Sequence, residues 1–122
     1  MTQITNTLQI AIYCHSTQPD AGYIAYQRQG VGRVIDRCAG SAFNVRDYAD
    51  DGYCPDTTVR PAFQRLLLDC ASGLIDCIAV TDWQRLARSA PDAQRLQCYF
   101  QRHGVLVVEC RVREGVIVRI AA

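Results

Sequence analysis

The chain contains no lysine: all 13 basic residues are arginine, set against 12 acidic residues of which only Glu109 and Glu114 are glutamate. Codon usage in a GC-rich genome explains such a set by itself. The functional reading is that planar guanidiniums suit phosphate, which they hold through two parallel hydrogen bonds. A net charge of +1 argues against a protein that coats nucleic acid by bulk electrostatics and leaves only a local arginine cluster for that role. No two of the 7 cysteines stand closer than Cys70 and Cys77, so the CxxC spacing of zinc sites and redox motifs is missing and no metal is expected. No secretory pattern is present, and most cysteines are expected to serve as small buried hydrophobes in a reducing cytoplasm. Apolar runs fall far short of the ~20 residues of a membrane span, so no membrane contact is expected. With no repeat, low-complexity tract or linker, the 122 residues are expected to form a single domain, 1–122.

What is present centres on residues 60–88. Arg60 and Pro61 open a predicted helix whose Phe63, Leu66, Leu67 and Cys70 share one face. Gly73 suits its C-terminal cap, and Cys77, Ile78, Ala79 and Val80 then form an apolar run short enough for a strand buried on both faces. The run delivers the chain to Trp83-Gln84-Arg85-Leu86-Ala87-Arg88. Arg85 and Arg88 are three apart, so on a helical turn their guanidiniums would leave from one face.

Residues 1–7 are polar and expected to be loosely ordered. Residues 8–13 (LQIAIY) read as a first strand. Ser16 and Thr17, followed by Pro19 and Asp20, read as the start of a helix running to about residue 39, weakened in its middle by Gly30 and Gly32. A second strand is expected over 42–48 and a loop over 49–59, with residues 41–59 carrying a net charge of −3 from Arg46 against Asp47, Asp50, Asp51 and Asp56. A further helix over 91–103, closed by Gly104, leads to a fourth strand over 105–108. A hairpin over 112–120 turns at Glu114-Gly115. This order predicts an α/β three-layer sandwich with a mainly parallel central sheet of four to five strands. Ligands of such sheets sit beyond the carboxyl ends of the strands, where Ser16, the segment before Arg60, and the Arg85 and Arg88 turn would meet.

Taken singly these residues have plain structural readings: Ser16 as a helix N-cap, Arg85 and Arg88 as solvated surface residues, Arg60 as a helix-start residue whose charge opposes the helix dipole. His15 beside Ser16 does not make a catalytic pair, because strand neighbours point to opposite faces. Together the residues offer a hydroxyl among arginines, the composition that attack on a phosphodiester needs as charge grows on its nonbridging oxygens.

The order of features resembles the catalytic domain of serine recombinases, the resolvase/invertase family. The carriers are Tyr13-Cys14-His15-Ser16-Thr17, Tyr48-Ala49-Asp50-Asp51-Gly52, Arg60-Pro61-Ala62-Phe63, Trp83-Gln84-Arg85-Leu86-Ala87-Arg88 and His103-Gly104-Val105. The resemblance implies a resolvase-like fold, Ser16 as a nucleophile forming a phosphoserine link to DNA, and Arg60, Arg85 and Arg88 as ligands of the scissile phosphate. No metal or nucleotide cofactor is implied. Cys14 stands where the family has an active-site arginine, Gln84 replaces the acid before the first arginine of RLxR, and Tyr53-Cys54 replaces Ser-Gly. These departures imply impaired strand exchange, or a pseudo-enzyme. The chain is expected to lack the long dimerisation helix and the DNA-binding domain of the family.

Two functions follow. One is a DNA-recombination domain from a mobile element or phage, binding DNA weakly or with a partner's help and able to form a homodimer. The other is a noncatalytic module that regulates a full-length recombinase. A nucleotide- or phosphate-binding protein is a weaker third, because no Gly-rich phosphate loop follows the first strand.

Overall fold

The computed structural model describes residues 7–38, 40, 42–54, 60–113 and 116–121, with side chains described as far as residue 111. Nine elements follow one another: β1 (Leu8–Ser16), α1 (Ala21–Cys38), β2 (Phe43–Asp51), α2 (Pro61–Ala71), β3 (Cys77–Val80), a 3-10 turn (Trp83–Arg85), α3 (Ala90–Arg102), β4 (Leu106–Arg113) and β5 (Val116–Ala121). The strands form one sheet in the order β2-β1-β3-β4-β5. The first four are parallel, and β5 runs antiparallel on the outer side of β4. The expected α/β architecture with a mainly parallel sheet is therefore the one observed. The turn expected at Glu114-Gly115 and the order expected of residues 1–6 lie outside the described residues.

Period-2 alternation splits the core into two layers. Ile10, Ile12 and Cys14 of β1 join Val31, Val34 and Ile35 of α1 on one side of the sheet. Ala11 and Tyr13 face the other side, with Phe63, Leu66 and Cys70 of α2 and Phe100 of α3. β3 contributes to both layers, Ala79 to the first and Ile78 and Val80 to the second, as its short apolar run predicts. Gly73, with φ of 77°, ends α2 in the left-handed conformation that a Cβ disfavours.

Four boundaries differ from expectation. β1 runs on to Ser16 and β2 to Asp51, because the two strands stay paired in register through Ser16↔Asp51 although their last residues are polar. Residues 49–51 are therefore strand rather than loop. Ser16, a strand residue, does not cap α1; Asp20 does so, accepting from the Tyr23 amide at 3.0 Å. β4 extends well beyond residue 108 because β5 pairs along it.

Helix α1 is continuous through Gly30 and Gly32. At Gly32 a Cβ would lie 2.6 Å from Arg28 Nη1, so the glycine makes room for Arg28 to fold back and pair with Asp47 on β2. Among the described residues no cysteine forms a disulfide. Cys14, Cys70 and Cys110 are buried and Cys77 is half-buried, whereas Cys38, Cys54 and Cys98 are exposed. Among the described residues no helix is long and apolar enough to cross a membrane.

Candidate active site

The carboxyl ends of β1 and β2 place Ser16 beside Asp51. The Ser16 hydroxyl donates to Asp51 Oδ1 at 2.6 Å and accepts from the Gly52 amide at 3.2 Å. The Gly52 and Tyr53 amides also donate to the Ser16 carbonyl, at 2.9 and 3.0 Å, forming a strap over the strand end. Ser16 is only 3% exposed. Gly52 takes φ of 87°, and a Cβ there would lie 3.0 Å from the Pro19 ring, so glycine is required where the strap meets the turn into α1. Asp51 also accepts from the Asp20 amide at 2.6 Å. The Ser16 hydroxyl, then the Asp20 amide, hold the Asp51 carboxyl below its usual range.

His15 faces the opposite side of the sheet from Ser16, as strand alternation demands. Its ring stacks on Tyr13, with centroids 6.4 Å apart, and Nε2 lies within hydrogen-bond distance of the Tyr53 carbonyl. β3 pairs with β1 only as far as Ile12, so the backbone of His15 needs other partners. Gln27 of α1 supplies them: its amide group accepts from His15 N at 3.1 Å and donates to His15 O at 2.8 Å. This buried glutamine stands in for a missing strand. Its position on the apolar stripe of α1 was the sequence signal for it.

Arg85 makes the second contact to that carbonyl. Its Nη1 donates to His15 O at 3.2 Å and to Tyr23 Oη at 3.4 Å, while the guanidinium lies 5.8 Å from the Tyr23 ring centre. Asp82 caps the 3-10 turn by accepting from the Gln84 amide, and the same oxygen lies 3.5 Å from Arg85 Nε. That separation is too long for a hydrogen bond, and Nε has no hydrogen-bond partner. Asp82 thus sets a carboxylate beside Arg85, two residues before Gln84.

Arg60 is not the solvated helix-start residue its position suggests. It is 4% exposed and turns inward, with Nη1 donating to the Arg85 carbonyl at 3.0 Å and Nη2 to the Leu86 carbonyl at 2.9 Å. Its guanidinium lies 3.9 Å from the centre of the Phe63 ring. The side chain therefore ties the start of α2 to the turn that carries Arg85. The dipole of α2 is met by Asp50, 1% exposed, which accepts from the Ala62 and Phe63 amides at 2.9 Å each and from Tyr13 Oη at 2.7 Å.

Arg88 does not share a helical turn with Arg85. The 3-10 turn ends at Arg85, Leu86 and Ala87 are buried, and Arg88 is exposed beyond them. The structure thus gathers Ser16, Arg60 and Arg85 at the carboxyl edge of the sheet, in three different environments. Cys14 lies in the α1-side core at 2% exposure, and burial pushes its thiol up to about 11. It remains a neutral, packed side chain at the position where the resemblance puts an arginine. Among the described residues no group of His, Cys, Asp or Glu is placed to hold a metal.

The four parallel strands, in the order β2-β1-β3-β4 with helices packed on the sheet, form a resolvase-like α/β fold. The chain belongs to the Resolvase, N terminal domain family, which matches residues 10–117. Among solved structures it is similar to the N-terminal catalytic domain of TP901-1 integrase, at 25% identity and a TM-score of 0.69 over 83% of this chain and 76% of that one. It is also similar in fold to the C-terminal catalytic domain of ISC1926 TnpA, an IS607-like serine recombinase, at 17% identity and a TM-score of 0.71 over 82% and 68% of the two chains. A resolvase family site-specific recombinase from Streptococcus pneumoniae gives 17% identity and a TM-score of 0.68 over 92% and 76%. A comparison with curated protein sequences gives no match.

Proposed function

We propose that this protein acts in DNA recombination by attacking a DNA phosphodiester with Ser16, and that it does so slowly. The observation that carries the reading is the junction of Ser16 with Arg85. The arginine is fastened to the carbonyl of His15, the residue immediately before the nucleophile. A guanidinium so held meets the charge that grows on the nonbridging oxygens during attack. Arg88, exposed three residues further on, adds a second cation to the phosphate. Arg60 contributes from behind, by fixing the carbonyls of Arg85 and Leu86.

Two features support a low rate. Cys14 supplies no cation, and the loss of one charged phosphate ligand costs on the order of 100-fold or more in rate. Ser16 is also only 3% exposed beside the Gly52 and Tyr53 strap, which limits the access of a phosphate to its hydroxyl.

The test is incubation with supercoiled DNA, followed by denaturation and detection of protein-linked nicked or linear product. An adduct that disappears in Ser16→Ala supports the reading. The burial of Cys14 and the inward turn of Arg60 favour a second reading, a noncatalytic module that binds and regulates a full-length recombinase. Absence of adduct on several substrates, together with a stable complex with such a recombinase, would establish the second reading instead.

A further inference from the structure

We propose that Asp51 is the general base that takes the proton of Ser16. This rests on the reading of Ser16 as a nucleophile for phosphorus. A serine hydroxyl is a weak nucleophile at neutral pH and is activated where an acceptor lies within hydrogen-bond reach of its proton. Asp51 Oδ1 meets that requirement at 2.6 Å. His15, the residue before Ser16 on β1, does not, because its ring lies on the other face against Tyr13. Asp50 is committed to Tyr13, Ala62 and Phe63 on that same other face. Asp51 is exposed, and the Asp20 amide on the same oxygen fixes the carboxylate in place. The Gly52 amide donates to Ser16 Oγ, so one lone pair of the hydroxyl is occupied and its proton is directed at the carboxylate.

The step balances as follows. Ser16 Oγ bonds to phosphorus while its proton passes to Asp51 Oδ1. The bond from phosphorus to the deoxyribose oxygen breaks, and that oxygen takes a proton from water. In the reverse direction the sugar hydroxyl attacks the phosphoserine and gives its proton to the hydroxide left in the forward step, and Asp51, now protonated, returns its proton to Oγ.

The assignment is tested on the full chain with a biotin-tagged fluorophosphonate, in which Ser16 Oγ displaces fluoride from phosphorus and no DNA sequence is needed. Asp51→Asn keeps an oxygen acceptor for the Ser16 hydroxyl and the Asp20 amide while removing the basic group. It is expected to slow labelling of Ser16 about 100-fold or more. Equal labelling of the wild type and Asp51→Asn, faster labelling of Asp51→Asn, or no labelling of wild-type Ser16 would each overturn the assignment. Unchanged circular dichroism of Asp51→Asn separates lost chemistry from lost fold. Labelling that depends on Asp51, in a protein that forms no adduct with DNA, would retain the base and discard the recombination reading.

Discussion

Asp50 and Asp51 are neighbours on β2, and the pleat of the strand turns them to opposite sides of the sheet. Asp50 is buried against Tyr13 and the first amides of α2, whereas Asp51 is exposed and bonded to Ser16. One residue type thus caps helix α2 at one position and binds the Ser16 hydroxyl at the next.

Replacing Asp50 is therefore expected to damage stability and replacing Asp51 is not. Asp50→Ala strands three buried donors and should lower unfolding free energy by about 3 kcal/mol. Asp51→Asn should cost less than about 1 kcal/mol. Urea unfolding midpoints of the two variants measure the difference; equal losses would contradict the division.

Arg60 and Arg88 should separate in the same way. Arg60→Met leaves the carbonyls of Arg85 and Leu86 without their donor, and a loss of about 2 kcal/mol is expected alongside any loss of DNA adduct. Arg88→Ala, at an exposed position, should reduce adduct formation and change stability by less than about 0.5 kcal/mol. A thermally unaltered Arg60→Met would show that the inward contacts contribute nothing.

Two glycines should respond with opposite signs. Gly30 lies inside α1 with nothing within 4 Å of a Cβ built on it, so Gly30→Ala is expected to stabilise by about 0.5–1 kcal/mol. Gly52→Ala combines φ of 87° with a 3.0 Å contact to Pro19 and should destabilise by about 1–2 kcal/mol. Melting temperatures of the two variants decide both signs.

His15 gives the protein a pH dependence near neutrality. Burial, and then the nearby Arg60 and Arg85 charges, place its folded pKa below the ordinary 6.5, outweighing the opposing bond to the Tyr53 carbonyl. The unfolded chain therefore binds its proton first as pH falls. The contribution to stability is complete above pH 6.5 and is lost as pH falls from there through the folded pKa. The melting temperature should drop between pH 7.5 and 5.5, and His15→Gln should flatten that part of the profile. An identical slope in the variant would remove His15 as its cause.

The sequence by itself determined the layers of the fold and the place of the site. Spacing of Phe63, Leu66 and Cys70 gave α2 its buried face, the run from Cys77 to Val80 was short and apolar enough for a central strand, and the order of elements put Ser16 and Arg85 at one edge. These features follow from local periodicity, which a chain carries along its own length. Tertiary structure alone decided where polar side chains go. Arg60 is long enough to reach solvent or the core, and it turned inward because carbonyls 25 and 26 positions away lay within reach. Gln27 took its buried place because β3 stops short of His15. Asp50 and Asp51 are chemically identical, and only the pairing of β1 with β2, which sets the face each presents, separates the helix cap from the partner of Ser16.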